Sequence, residues 1–247
     1  MSNGDESIVR QVRAALEHER RVNLHQYPLA VRIEAGAVVL EGEVETLAAK
    51  KLALRLAAAV EGTRGVVDRV VVAPTERKGD GEIRDALCKL LLSEAELRDC
   101  TIRARVNDSV EIMHDADTRG DGSIDVAIDD GVVTLEGTVL SLSHKRLVGV
   151  LAWWTAGVRD VVNSLVVSPP EEDNDGEVID ALGLVYEIDP VVRHDRLTLN
   201  CRNCVVTLSG AVRTEAERNR AEMDAWALFA VDEVVNLIEV RAVPGMA

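Results

Sequence analysis

A seven-residue phrase occurs three times in this chain: Gly36-Ala-Val-Val-Leu-Glu-Gly42, Gly131-Val-Val-Thr-Leu-Glu-Gly137 and Cys204-Val-Val-Thr-Leu-Ser-Gly210. Each copy is followed by a second one: Val66-Val67-Asp68, Val161-Val162-Asn163 and Val234-Val235-Asn236. In every case 32 residues separate the first residue of the phrase from the Asp or Asn. A spacing held over that length means one structural unit copied three times. The chain therefore divides into units of roughly 70 to 90 residues, small but within the range that folds alone. The expected layout is 1–74, a linker at 75–79, 80–169 with about twenty inserted residues near 100–122, a linker at 170–174, and 175–243.

Within each unit the periodicity changes in the same order. Asp5, Asp80 and Asp175 stand three residues before the first apolar position, which marks them as N-caps. Helical spacing follows at Ile8, Val12, Leu16; Ile83, Leu87, Leu90, Leu91; and Val178, Leu182, Val185. Strict alternation comes next at Leu29, Val31, Ile33; Ile124, Val126, Ile128; and Leu197, Leu199, Cys201, predicting a strand with one buried face. The opening residue of the phrase supplies a hairpin turn, and the rest of it the returning strand. A second amphipathic helix is expected over about 46–60, 141–155 and 214–228. Gly62, Gly157 and Ala230 stand 20 residues beyond Gly42, Gly137 and Gly210, and the two glycines suit a left-handed helix terminus. The last strand, Val66–Val72, Val161–Val167 or Val234–Val240, is almost continuously apolar, as for a strand in the middle of a small sheet. The fold class is α+β: three tandem αββαβ modules, each a small mixed three-stranded sheet covered by two helices. The uncovered face of each sheet must be polar or find a neighbour.

The pattern resembles the BON domain, the bacterial osmoprotein and nodulation module. The second unit carries the resemblance best, through Ile124, Val126, Gly131, Val133, Leu135, Gly137, Val139, Gly157-Val158 and Val161-Val162-Asn163. The third has Asp189-Pro190, Val206, Leu208, Gly210 and Val235-Asn236, with Cys204 and Ala230 replacing glycines; the first has Asp68 for Asn. The resemblance implies a non-enzymatic binding module associated with osmotic or envelope stress, phospholipid surfaces and larger membrane assemblies. It brings no catalytic residues, and its Gly and Asn positions are turn and packing residues.

Charge narrows the partners. The net charge of −15 is concentrated in the second and third units, at −7 and −9, against +1 in the first. That sign is wrong for nucleic acid and opposes polybasic attraction to anionic lipid. Only Arg10, Arg13, Arg20 and Arg21 offer a local basic stretch, and a solvated helix surface accounts for them. No apolar run reaches the ~20 residues of a membrane span. Met1-Ser-Asn-Gly-Asp-Glu lacks the features of a secretory signal, so a cytoplasmic location is expected, or a periplasmic one if a signal has been removed. Four unevenly spaced cysteines agree with a reducing compartment.

The places where the copies differ carry the functional candidates. The second unit spends 41 residues between its first helix and first strand, against 21 and 19 in the others. The excess includes Thr101–Val106, alternating like an added strand, and Val110-Glu-Ile-Met113, before an acidic stretch with Asp115, Asp117, Asp121 and Asp125. Carboxylates spaced by two about a Gly resemble a calcium loop. Arg119 and Ile128 occupy two ligand positions, however, so a surface turn and a calcium site both remain open, with no other cofactor implied. Trp153, Trp154 and Trp226 fall off the core stripe of the second helix, which should be Val148, Leu151, Ala152 and Thr155. Large aromatics so placed point to packing between units, to a protein partner or self-association, or to lipid. Cys201-Arg-Asn-Cys204 lacks two further ligands for zinc and brackets a turn, so Cys201 reads as a small core residue. His114-Asp115 and His194-Asp195 have no nucleophile in context, and no catalytic residue is assigned. A soluble adaptor acting through protein surfaces is the leading reading. Peripheral phospholipid binding is the alternative, and ion sensing through the acidic insertion the third.

Overall fold

A computed structural model of the protein describes residues 3–106, 109–116 and 122–241. The chain forms two compact units, Met1–Pro74 and Thr75–Ala247. The first contains α1 (Asn3–His18), β1 (Ala30–Glu34), β2 (Ala37–Val44), α2 (Leu47–Ala59) and β3 (Val66–Val72). β1 and β2 pair antiparallel with Ile33 opposite Val38, and β2 and β3 pair parallel. Val12 and Leu16 of α1, Val31, Val38 and Leu40 of the sheet, and Leu52, Ala53 and Ala57 of α2 are buried, so both helices lie on one sheet face. The opposite face is closed by charge: Arg32 pairs with Glu34 and Glu41, and Arg69 reaches the same two carboxylates.

The second unit holds two modules. One runs α3 (Asp80–Ser93), β4 (Cys100–Val106), β5 (Ser109–His114), β6 (Gly122–Asp129), β7 (Val132–Val139), α4 (Leu142–Trp154), β8 (Asp160–Asn163) and β9 (Val166–Val167). The next runs α5 (Asp175–Ile188), β10 (Leu197–Arg202), β11 (Val205–Val212), α6 (Glu215–Ala227) and β12 (Glu233–Val240). The repeated three-strand arrangement is present in each module. The inserted residues widen the middle sheet to six strands in the order β5-β4-β6-β7-β8, with β9 also on β7. β4 joins β6 in parallel, with Ile102 beside Ile124, and β5 folds back antiparallel on β4.

Two expectations need correction. The last strand is an edge strand, because β2 and β11 sit centrally in the orders β1-β2-β3 and β10-β11-β12. Its apolar residues do not all face the core: Val70 is buried, whereas Val67, Val162 and Leu237 point to solvent. The repeated Asp is also not the N-cap. Gly79 and Asn174 cap α3 and α5, and Asp80 and Asp175 stand one residue inside. Their carboxylates instead cross to the hairpin turn. Asp80 accepts N–H bonds from Asp130 (3.1 Å) and Gly131 (2.9 Å), and Asp175 from Asn203 (2.9 Å) and Cys204 (3.1 Å). Both turn residues have positive φ in each hairpin, as a two-residue type I′ turn requires, which exposes two N–H groups to one carboxylate.

A residue four after each phrase's closing Gly caps the second helix. Thr46, Ser141 and Thr214 accept the N–H of Ala49, His144 and Glu217 at 3.1–3.2 Å, caps of about 1 kcal/mol each. The Asn of the second phrase ties the last strand to that helix. Asn163 donates to the Lys145 carbonyl (2.8 Å) and Asn236 to the Arg218 carbonyl (3.4 Å). Asp68 cannot donate when ionised, and its carboxylate instead meets the buried Lys50 ammonium at 3.0 Å.

Candidate interaction surfaces

Helix α4 is buried on two sides. Val148, Leu151, Ala152 and Thr155, the stripe that the spacing predicts, are all buried, and Arg146, Gly149 and Val150 are buried as well. The second surface is covered by the next module: α4 packs more extensively on α5 than on α3, and it also touches α6. The residues after β9 are tied to α4 rather than loose. Glu171 accepts the Leu142 N–H at 2.7 Å, and Asp173 pairs with Arg146 at 2.5 Å. Arg146 is fully buried, with its guanidinium 4.4 Å from the Phe229 ring centroid and the Lys145 ammonium 5.1 Å from the same ring.

The tryptophans divide among three environments. Trp154 donates its indole N–H to Asp224 of α6 (2.8 Å) and stacks beneath Arg220 at 4.5 Å, joining the two modules. Trp226, expected off the core face, is 1% exposed. The reason is that α6 lies in a helical layer shared with α5 and α4, so a residue off its own module's stripe still meets a neighbour. Trp153 is half-buried.

Around Trp154 lies a cluster that the spacing gave no sign of. Asp189, at the end of α5, and Asp224 both have fully buried side chains, and one guanidinium serves the two: Arg220 Nε is 2.6 Å from Asp189 and 3.2 Å from Asp224. Burial pushes the Asp224 carboxyl up to about 8, against the pull of Arg220 and with the push of Asp189. Tyr186 donates its hydroxyl to the Ala221 carbonyl at 2.7 Å, and burial raises its pKa well above the ordinary phenol value.

On the opposite side of the middle sheet the surface is open. Arg103 clasps Asp125 through Nε (2.5 Å) and Nη2 (2.9 Å) near its centre. Ile112 pairs with Arg103 and Val110 with Arg105, so both apolar side chains stand on that face, exposed at 62% and 61%. Val162 and Val166 are exposed toward the far edge, on the same face as Thr134 and Thr138. β5 is the outermost strand, and among the described residues nothing pairs with its outer edge.

Of the calcium candidates, Asp115 is exposed just beyond β5, and Asp125 is the β6 carboxylate held by Arg103. Asp117 and Asp121 lie outside the described residues, as does Arg119. Among the described residues no cluster of His, Cys, Asp and Glu could hold a metal ion. Cys201 is buried and donates its S–H to Asp175 at 3.3 Å; burial, reinforced by that carboxylate, pushes its thiol up to about 12. A cleft lined by Leu91, Leu97, Ile102 and His114 measures about 100 Å³, short of the ~300 Å³ at which small-molecule pockets begin.

The BON domain family model matches residues 4–74, 98–169 and 175–242. The second match begins after α3 and takes in the added strands β4 and β5. Two solved structures of CdsD, a structural protein of the type III secretion system of Chlamydia trachomatis, are similar along their length. One, of the C-terminal domain, is 13% identical, covering 95% of this chain and 97% of that one, with a TM-score of 0.23. The other is 12% identical, covering 96% and 94%, also with a TM-score of 0.23, a value that supports no inference from either. Nothing matches among curated proteins. Three family matches, one to each repeat, establish that the chain belongs to the BON domain family.

Proposed function

We propose that this protein is a non-enzymatic adaptor that binds a protein partner through the open sheet face and outer edge of its middle module, in the osmotic or envelope stress setting of its family. The observation that carries this reading is the exposed pair Val110 and Ile112 on the edge strand β5, whose outer edge has no partner among the described residues. The helical faces of the second and third modules already occupy one another through α4, α5 and α6. Repeat packing therefore leaves the sheet side for a partner. An edge strand with alternate apolar side chains suits strand addition, in which main-chain bonds give affinity and side chains give specificity.

The reading is tested by affinity capture from native lysate, comparing wild type with Val110→Glu/Ile112→Glu. Loss of a partner that wild type retains supports it, and an unchanged partner set refutes it. Peripheral phospholipid binding is tested beside it by co-sedimentation with anionic and zwitterionic vesicles at low salt. In the first module, Arg10 and Arg13 of α1 share a shallow groove with Glu6 and Glu17, which offset them and disfavour that alternative.

A further inference from the structure

We propose that Asp189 and Asp224, bridged by Arg220, form a proton-operated latch that holds the third module against the second. The argument begins with charge. Two carboxylates with fully buried side chains share one guanidinium, which leaves one negative charge without compensation unless a proton is bound. The remaining contacts place that proton. Asp189 Oδ1 accepts the Val191 N–H at 2.7 Å and its Oδ2 faces Arg220, so both oxygens are satisfied as a carboxylate. Asp224 Oδ1 receives the Trp154 indole, but its Oδ2 is buried with no hydrogen-bond partner among the described residues. Asp224 is therefore the protonated member.

Among the described residues, Arg220 is the one cation acting on Asp224. From α5 come Tyr186, whose hydroxyl is committed to Ala221, and Asp189 itself. From α6 come Arg220 and Glu222, the latter bonded to Asn236 of β12. From α4 comes Trp154, a donor without charge. The raised pKa of Asp224 agrees with this accounting.

The site is a latch because its contacts span a boundary. Trp154 belongs to the second module, and Asp189, Arg220 and Asp224 to the third. Parting the modules admits water to Asp224, which then titrates near the ordinary carboxylate value of about 3.9. The closed form holds its proton until about pH 8. Opening is thus coupled to proton release. Between about pH 4 and pH 8 the opening equilibrium rises about tenfold per pH unit, and above pH 8 it levels off. Alkalinisation loosens the junction and exposes the α4 and α5 surfaces.

The test is amide hydrogen exchange of α4 and α5 in the full chain, corrected for intrinsic rates, from pH 5 to 9. In wild type, protection should fall by about tenfold per unit up to pH 8 and then plateau, while Asp224→Asn, which keeps an acceptor for Trp154, should be flat. Equal pH dependence in both proteins overturns the proposal. If Asp224→Asn does not fold, the wild-type slope decides together with carboxyl carbon NMR of Asp224: a midpoint above pH 7 supports the latch, and one below pH 5 overturns it.

Discussion

Asp68 offers the sharpest test of why one copy departs from the other two. In the second and third modules an Asn amide donates to a helix carbonyl, that of Lys145 or Arg218. The first module has Asp68 there, paired at 3.0 Å with an ammonium whose side chain is 6% exposed. Asp68→Asn keeps the shape but withdraws the charge opposite Lys50. Breaking a fully buried pair costs about 3–5 kcal/mol. Asp68 is 36% exposed, so solvent screening reduces the expected loss to about 1–2 kcal/mol. Lys50→Met alone leaves Asp68 free to hydrate at that partly open site and should cost about 1 kcal/mol or less. The double variant restores the arrangement of the other modules, with an Asn amide able to reach the carbonyl of residue 50. It should lie within about 0.5 kcal/mol of wild type, giving a coupling energy of about 1–2 kcal/mol. Exchange protection of the α2 amides in the full chain reads the first module directly, which its lack of tryptophan otherwise makes difficult. Strict additivity of the two substitutions, or an Asp68→Asn protein as stable as wild type, would refute the reasoning.

Two further outcomes follow from the turns. Cys204 holds φ +61, where its counterparts are Gly36 and Gly131. Cys204→Gly relieves about 1–2 kcal/mol of left-handed strain and gives back about 0.4–1 through the freer unfolded chain, so the net gain should be about 1 kcal/mol or less, measurable by urea denaturation. At Gly210, φ is +125 and an added Cβ would run into the Arg196 carbonyl oxygen, so Gly210→Ala should cost about 3 kcal/mol and lower the thermal midpoint.

The hairpins and helices were legible because local chemistry determines them. Positive φ calls for Gly or Asn, and a period of 3.6 or 2 reports which face is buried. What local chemistry does not determine was misread. Asp80 and Asp175 look like caps from their own neighbourhood, yet their partners lie 28–51 residues away at the turns. The Val-rich last strand carries composition suited to a central strand, but strand order is set by the crossover and not by apolar content. Trp226 lies off its own module's stripe yet is buried, because α6 packs on α5 and α4, a placement that local spacing does not determine. The Asp189–Asp224 pair left no trace, since neither residue recurs in the other copies and their approach depends on how two helices meet.

The same comparison explains where function can enter a repeated fold. Residues common to all copies are spent on turns, caps and the helix-to-strand tie, and any partner recognising them would find three equivalent sites. Discrimination must come from what one copy has alone. In the middle module that is β4 and β5, which add an exposed apolar edge away from the helices. Between the second and third modules it is the Arg146, Trp154 and Asp224 contacts, which turn two small cores into one compact unit. The added edge supplies a surface, and the junction determines how rigidly that surface is held relative to the third module. A partner engaging both would sense the state of Asp224, so its affinity should fall from pH 6 to pH 9 in wild type and stay level in Asp224→Asn. Equal affinities across that range in wild type would show that the edge acts independently of the junction.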